Sequence, residues 1–315
     1  TRQMIRALLL ALALVSAQAS AADISSTRIE SFASDPSVTR FGELQFVGGL
    51  KLSGLHGLSA IRFLPGGERF IAIADYGQWV DGEITRDGRG RLSGVADVTV
   101  TPMKNADGVH AKKADMDAES MTIKDGRILV GFENKHRIDQ YPLEGHDSAT
   151  AKPGPDFLIP RNELRANGGI EAMATNADGR TVVVAEKSID SDGNLFAAII
   201  SGPGKGIFKV VKNQEFDVTD AAFLPDGDLL LLERRFSLLG GIGMRIRRIS
   251  ADDIHPGAVV DGPVIMQASG LNRIDNMEGL DVIPMPDGSL HLIIISDDND
   301  SVLQQTLMLE FRLAG

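Results

Sequence analysis

The sequence predicts an all-β chain folded as a single β-propeller, and three observations support this fold. Strand-like apolar runs separated by Gly, Pro, Asp and Asn fill the chain from about residue 41 onward, and convincing amphipathic helices are nearly absent. One hairpin pattern recurs, in which a polar residue opens an apolar strand, a Gly-bearing turn follows, and a second apolar strand runs into an acid. The pattern returns roughly every 50 to 60 residues, which suits four-stranded blades with long loops.

Five copies of this hairpin pattern are present. The opening positions are Ser59, Glu119, Glu171, Asp220 and Glu278, and the closing acids are Asp75, Glu133, Glu186, Glu233 and Asp297. A single blade cannot bury both of its faces, so the units are expected to stack around a central axis. Five units are counted, and a sixth blade with an eroded motif, in the long interval between residues 59 and 119, stays open.

Two further strand-like stretches lie outside the five hairpins. Residues 43–47 precede the first unit and residues 306–313 follow the last, and both alternate between apolar and polar side chains. Pairing the two would complete one blade that the N- and C-terminal strands share. Such closure removes free sheet edges from the ring.

Composition bounds the class of protein. With 315 residues, 43% hydrophobic content and 34 Gly, the chain can bury a large globular core. It has 0 Cys, which excludes disulfides, thiolate metal sites and a cysteine nucleophile. Its net charge of −11 repels nucleic acid and anionic membranes and suits cation binding.

The N-terminal residues predict the cellular compartment. Arg2 and Arg6 precede an apolar run over 7–15, and small residues over 17–21 resemble a cleavage site. Residues 1–21 are therefore predicted to be a secretory signal peptide. A buried N-terminal helix is the alternative. Residues 22–40 are expected to be a flexible mature segment and residues 41–315 the propeller domain. The mature protein is expected to be a periplasmic or secreted monomer without membrane or nucleic-acid partners.

The hairpins place their acids at one end of the propeller. The opening and closing residues of a tight hairpin lie together opposite its turn, so the opening acids would surround the channel mouth and the closing acids would form a second tier. Converging carboxylates repel one another by about 1 to 4 kcal/mol per close pair unless a positive charge lies among them. Ca²⁺, which takes irregular sets of oxygen ligands, fits this pattern. In the alternative, each acid caps backbone N–H groups or pairs with a base of a neighbouring blade.

Basic residues follow the second strand of several units. The four candidates that could contact an anion are Lys135, Lys187, Arg234 and Arg235. Cations around a metal centre suit a phosphate ester, because they bind its non-bridging oxygens. Solvated loop charges are the alternative interpretation of each residue.

Several phrases resemble a bacterial secreted family known by the description esterase-like activity of phytase. They are residues 57–61, 117–121, 169–173 and 276–280, together with 133–135 and 186–187. The resemblance implies a β-propeller, a Ca²⁺ requirement and hydrolysis of phosphate or other esters. By position it nominates Glu119, Glu171, Asp220 and Glu278, with Glu133 and Glu186, as metal ligands, and Lys135, Lys187, Arg234 and Arg235 as catalytic anion contacts. Ser59 departs from the acidic pattern and leaves one side of the ring neutral.

The sequence therefore predicts a secreted hydrolase that uses Ca²⁺ to cleave a small phosphate monoester. A lactonase or other carboxylic-ester hydrolase is the alternative within enzymes, and a non-catalytic binding propeller is the alternative outside them. Other mechanisms find less support: residues 57–61 lack the second Gly of a nucleophile elbow, and residues 297–300 lack the full spacing of a calcium loop.

Overall fold

The structure, a computed structural model, describes residues 20–21, 24–213, 215–237 and 240–314, and these are almost entirely strands and loops. In chain order the strands are β1 (Ser20–Ala21), β2 (Ser25–Ile29), β3 (Arg40–Phe41), β4 (Leu44–Ser53), β5 (Leu58–Phe63), β6 (Arg69–Ala74), β7 (Gln78–Arg86), β8 (Leu92–Pro102), β9 (Ala118–Lys124), β10 (Arg127–Phe132), β11 (Arg137–Pro142), β12 (Lys152–Pro153), β13 (Ile170–Thr175), β14 (Thr181–Ile189), β15 (Leu195–Ser201), β16 (Gly206–Val210), β17 (Asp217–Phe223), β18 (Leu229–Ser237), β19 (Gly241–Ile249), β20 (Val259–Val260), β21 (Val264–Ser269), β22 (Asn276–Pro284), β23 (Leu290–Asp297) and β24 (Thr306–Leu313). Three single-turn 3₁₀ helices span Lys113–Asp115, Arg161–Glu163 and Ala251–Asp253.

The strands form five sheets, and each sheet is one blade of a propeller. From the innermost strand outward, the four-stranded blades 1 to 5 are β5-β6-β7-β8, β9-β10-β11-β12, β13-β14-β15-β16, β17-β18-β19-β21 and β22-β23-β24-β4. Each innermost strand contacts the innermost strands of both neighbouring blades, which closes the ring at five. The predicted all-β propeller is therefore confirmed. The long interval after residue 59 holds the outer strands of blade 1 and a long loop, not a sixth blade.

The N-terminal strand β4 closes the ring against the C-terminal strand β24. The two run antiparallel, with Leu44 opposite Leu313 and Leu52 opposite Thr306. The predicted shared blade is thus present, and its two strands tie the ends of the propeller together. Strand β2 adds to the outside of β4, so the segment expected to be flexible, 22–40, contributes a paired strand within its described residues.

Apolar side chains fill the spaces between blades. Five hydrophobic clusters occur among the described residues, and each one is shared by two adjacent blades. Between blades 1 and 2, the buried rings of Trp79 and Tyr141 meet edge to face with centroids 5.0 Å apart. Because every blade buries its two faces against its neighbours, no blade is stable without the ring.

The predicted signal peptide lies outside the described residues, apart from Ser20 and Ala21. These two residues form β1 and pair with Val100 and Thr99 at the edge of blade 1. Within the described part of the chain, no helix has the length and apolar character needed to cross a bilayer.

All five innermost strands begin at the same end of the propeller, which we call the upper face. Their first residues are Leu58, Ala118, Ile170, Asp217 and Asn276. Each second strand returns to this face, so the loop after it and the loop between blades both lie there. The Gly-bearing hairpin turns lie on the opposite, lower face.

A buried ion pair blocks the central channel below the upper face. Both terminal nitrogens of Arg62, from blade 1, donate hydrogen bonds to the carboxylate of Asp220 in blade 4, at 2.9 Å each. The same guanidinium also donates to the backbone carbonyls of Met173, Ala221 and Leu280, at 2.7, 3.2 and 2.9 Å. Arg62 therefore links four of the five innermost strands at the axis.

A second carboxylate flanks this ion pair. Asp281 accepts the backbone N–H of Phe63 at 2.6 Å. Burial raises the pKa of Asp281 to about 6, although the charge of Arg62 opposes the shift. One buried arginine thus lies among two carboxylates, and the channel axis is polar but filled.

Removing Arg62 is expected to destabilise the propeller strongly. In Arg62→Met the carboxylate of Asp220 keeps only its backbone donors and loses its cation, and breaking a buried ion pair from one side costs about 3 to 5 kcal/mol. Urea denaturation of the variant measures this loss. The exposed Arg127 provides a matched control, Arg127→Met. Equal unfolding free energies for the two variants would contradict a structural role for the channel ion pair.

Candidate functional site

A β-bulge interrupts the start of every innermost strand. In each blade one extra residue lies between two residues that pair normally with the second strand. The extra residues are Ser59, Glu119, Glu171, Thr219 and Glu278. A bulge leaves its extra residue outside the pairing and re-aims the side chain, so these five positions form the first ring at the channel mouth.

A second ring follows the second strand of each blade. In each blade, the residue that precedes the bulge pairs with a residue of the second strand, and the next residue along that second strand belongs to this ring. The five residues of the second ring are Asp75, Glu133, Glu186, Arg234 and Asp297. Four of these positions carry the acids expected from the sequence. In blade 4 the position is occupied by a cation, because Arg234, not Glu233, lies opposite Asp217.

The assignment of Asp220 and Glu233 to the channel mouth was therefore wrong by one residue at each position. Asp220 is fully buried in the channel ion pair with Arg62. Glu233 faces the outer strands of blade 4, where it pairs with Arg245 and Arg247 at 2.5 and 2.7 Å. Successive side chains in a strand point to opposite faces, so a shift of one residue removes both acids from the site.

The two rings enclose a cavity of about 170 Å³ on the upper face. Seven carboxylates and two cations line it, together with polar side chains and backbone. The charged lining residues are Asp75, Glu119, Glu133, Glu171, Glu186, Glu278, Asp297, Lys187 and Arg234. Five of the six nominated metal ligands lie here, and Asp220 is the exception.

The cations neutralise one side of this cavity. Arg234 donates to Glu278 at 2.6 Å and to Glu186 at 3.3 Å, and Lys187 donates to Glu186 at 2.7 Å. The amide of Asn276 also donates to Glu278 at 2.6 Å. Glu186 of blade 3 and Glu278 of blade 5 therefore have positive partners.

The opposite side, in blade 2, has carboxylates without cations at hydrogen-bond distance. Oxygen atoms of Asp117, Glu119 and Glu133 all lie within 4.8 Å of one another. Asp117 is 7% exposed, and one of its oxygens accepts from Asn134 at 2.7 Å while the other, Oδ1, is buried without a hydrogen-bond partner. A buried carboxylate oxygen without a donor is costly unless a proton on a neighbouring carboxyl group or a positive ligand satisfies it.

Burial and mutual repulsion favour protonation of the ring. Burial raises the pKa of Glu119 and of Glu171 well above the usual range, and neighbouring carboxylates raise both further. Burial also raises the pKa of Glu278 to about 7, against the opposing charge of Arg234, and that of Asp297 to about 6. Without a cation, the site therefore holds protons at neutral pH.

These residues fit a hard divalent cation. Every donor is an oxygen, the carboxylates converge from several loops, and the unpartnered oxygen of Asp117 lies among them. Calcium accepts six to eight oxygen ligands in irregular geometry, whereas a transition metal would be expected to recruit nitrogen or sulfur. The side formed by Asp117, Glu119 and Glu133, with Glu171 adjacent in the ring, is best suited to hold the ion.

A family model now places the chain among known proteins. The phytase-like model, described as esterase-like activity of phytase, matches residues 53–300. The chain belongs to this family. The matched region contains all five hairpins and both rings of this phytase-like propeller.

The solved structures that match this chain are distant in sequence. A glucose dehydrogenase is 11% identical, with a TM-score of 0.44, and the match covers 84% of this chain and 98% of that one. An endo-1,4-beta-xylanase from Bacteroides thetaiotaomicron is 10% identical, with a TM-score of 0.46, and the match covers 81% of this chain and 90% of the xylanase chain. Comparison with curated proteins found no match.

Two of the four nominated bases lie away from the cavity of the phytase-like propeller. Lys135 pairs with Asp115, and its side chain is 70% exposed. Arg235 pairs with Glu215 at 2.9 Å on the far side of strand β18. Lys187 and Arg234 therefore remain as the anion-contact candidates within the cavity.

Sequence reasoning missed three residues of the site. Asp117 was present in the phrase 117–121, two residues before Glu119, but no acid stands two residues before Ser59, Glu171, Asp220 or Glu278, the other predicted opening positions. Lys113, which pairs with Asp75, and Thr219, the bulge residue of blade 4, were also missed. Lys113 belongs to a loop that no repeat marks.

Metal-free protein is expected to lose stability as the pH rises from about 4.5 to about 7. The pKa of Glu278 is about 7 in the folded protein and 4.5 ordinarily, so the folded state binds more protons in this window and the free energy of unfolding falls. Glu278 alone accounts for a change on the order of 3 kcal/mol. Denaturation in chelator across this range measures the slope.

The variant Glu278→Gln serves as the control for this titration. It cannot ionise, so its stability should vary less with pH than that of the wild-type protein. Unfolding free energies that rise between about pH 4.5 and 7 in the wild type would contradict protonation of the ring.

Proposed function

We propose that this protein is a calcium-dependent ester hydrolase that cleaves a small phosphate monoester at the upper-face cavity. The observation that carries the proposal is the excess of carboxylates in the cavity, with a buried oxygen of Asp117 left unpartnered. The family, which is described by an esterase-like activity, supports the reaction class. The N-terminal residues 1–21 support action outside the cytoplasm, and we propose a monomer.

Asp117, Glu119, Glu133 and Glu171 would hold the calcium ion. When bound, the ion would supply a fixed positive charge that favours ionisation of water and stabilises negative charge on a phosphoryl group. The raised pKa values of Glu119 and Glu171 fit this role, because an ionised set of such carboxylates is stable only with a positive partner.

Lys187 and Arg234 would bind the phosphoryl oxygens of the substrate. Both line the cavity, with Lys187 in blade 3 next to the cation-poor side and Arg234 in blade 4 across the ring from it. Arg234 carries a planar guanidinium that can bind two oxygens at once, while Lys187 supplies a compact charge. Each is held in place by Glu186, so the pair is positioned before substrate enters.

Carboxylates of the ring would move the protons of hydrolysis. Glu278, whose pKa is raised to about 7, can hold a proton at neutral pH and give it to the leaving oxygen as the ester P–O bond breaks. An ionised neighbour can accept a proton from the attacking water as the new P–O bond forms. The products are then an alcohol and inorganic phosphate.

Carboxylic-ester or lactone hydrolysis is the second candidate. Seven carboxylates face only two cations in the cavity, and both cations are already paired. An uncharged ester would meet less repulsion than a phosphate dianion. A non-catalytic propeller that binds calcium and a ligand is the remaining alternative.

Calcium is expected to stabilise the protein. A ligand at a hundredfold excess over its Kd adds about 2.7 kcal/mol to the free energy of unfolding. For a chain of this size, that corresponds to an increase of roughly 5 °C in Tm. Thermal denaturation with Ca²⁺ and with EDTA measures the effect. Asp117→Asn should remove most of the shift, and the exposed lower-face variant Glu144→Gln should retain it. Equal Tm values in Ca²⁺ and EDTA would rule out the metal centre.

Phosphate release is expected to depend on Lys187. With a generic phosphomonoester and Ca²⁺, Lys187→Met should lower kcat/KM by roughly 10- to 100-fold, because a charged hydrogen bond to the phosphoryl group is worth about 1.5 to 3 kcal/mol. The exposed lower-face variant Lys205→Met is the control. Turnover of aryl acetates or lactones without phosphate release would favour the second candidate, and absence of all turnover would favour a binding protein.

A further inference from the structure

Exposed apolar side chains are concentrated on the upper face. Nine large hydrophobic residues are exposed within the described ranges, and five of them lie on loops or strand ends of this face. The five are Tyr76, Phe236, Leu271, Val302 and Leu303. Clustered apolar exposure, unlike scattered single residues, marks a binding surface.

The four most exposed of these residues belong to blades 4 and 5. Phe236, Leu271, Val302 and Leu303 have relative exposures of 77, 83, 101 and 88%. We call this set the apolar rim.

Neighbouring loops connect the apolar rim into one sector. The amide of Gln304 donates to Asp275 at 3.0 Å, which joins the loop after Asp297 to the loop before Asn276. A Cβ at Gly270 would lie 3.6 Å from the side chain of Ile242, which pairs with Phe236 in strands β18 and β19.

The apolar rim is continuous with the anion-binding side of the cavity. Asp297 and Asn299 line the cavity, and Val302 and Leu303 follow in the same loop. Phe236 lies two residues beyond Arg234 on the same strand. The cation-poor side of the cavity lies in blade 2, across the ring from blades 4 and 5.

We infer that the substrate is amphiphilic, with a phosphate ester head that enters the cavity and an apolar alkyl or aryl group that lies on the apolar rim. This inference rests on the proposed function. A polyol carrying several phosphates would gain nothing from these side chains and would meet the excess of carboxylates.

Chain-length dependence of alkyl phosphate hydrolysis tests the inference. With the calcium-loaded protein, KM should fall about twofold for each methylene added from ethyl to hexyl phosphate. Complete burial of a methylene would lower KM about fourfold, and a methylene that is half-buried on the open rim should lower it about twofold. Glycerol phosphate should behave like the shortest substrate. Equal KM values along the series would overturn the inference while leaving the proposed function intact.

Variants of the apolar rim separate it from exposed apolar side chains elsewhere on the protein. Phe236→Ser/Val302→Ser/Leu303→Ser should abolish the chain-length dependence and leave kcat and the KM for ethyl phosphate unchanged. Val109→Ser, 55% exposed on the loop between blades 1 and 2, is the matched control and should retain the dependence. If the triple variant fails to fold, Leu303→Ser alone should weaken the dependence, and an unchanged dependence would overturn the inference.

A binding measurement keeps this inference distinct from catalysis. Hexyl phosphonate, which has no hydrolysable ester bond, should bind the calcium-loaded protein more tightly than ethyl phosphonate in calorimetry, and the triple variant should lose the difference. That result without turnover of any ester would reject the proposed hydrolysis but retain the amphiphile site. Binding that is independent of chain length would overturn the inference.

Other occupants of the apolar rim give different outcomes. If the triple variant converted a dimer to a monomer and kept the chain-length dependence, the rim would be an interface between two copies. If it lost sedimentation with phosphatidylcholine vesicles and kept the dependence, the rim would bind a lipid surface. Either result would overturn the assignment to substrate.

Discussion

The inserted residue at the start of each innermost strand determines the arrangement of the site. A regular strand would alternate its side chains between the two faces of a blade, both of which are buried against neighbours. The β-bulge frees one residue per blade from that alternation and directs it to the channel mouth. In three blades this residue is glutamate, at positions 119, 171 and 278, so carboxylates converge where the fold leaves little water. Their raised pKa values follow from this placement.

The architecture was largely predictable from the sequence because it depends on patterns that repeat. Apolar runs, Gly-bearing turns and their spacing specify five hairpins, and the strand at 306–313 needs a partner that only the N-terminal region supplies. Register inside a blade is a finer matter. In blade 4, Thr219 and Asp220 are adjacent, as are Glu233 and Arg234, and the distance to the turn differs between units. No local rule therefore decides which residue occupies the bulge. In blade 4, the prediction chose the acid at both positions, Asp220 and Glu233, and both choices were wrong.

The same shift of register explains how the channel is closed. Asp220 points along the axis and not to its mouth, so it meets Arg62 and completes a network that reaches the backbone of blades 3, 4 and 5. Such a network gains little net energy over an apolar plug, but its directional bonds fix the relative positions of the strands it joins. The cavity above it is consequently blind. Charges within it are screened less than charges on the open surface.

Departure from fivefold symmetry gives the cavity its chemical polarity. Identical blades would place five equivalent acids around the axis, a set that repels anions equally from every side. Here Ser59 and Thr219 leave two bulge positions neutral, and Arg234 replaces an acid in the second ring. Because Arg234 reaches Glu278 and Glu186, the largest group of carboxylates without a cationic partner is that of Asp117, Glu119 and Glu133 in blade 2. The proposed cation-binding and anion-binding sides would then be compatible within a cavity of about 170 Å³.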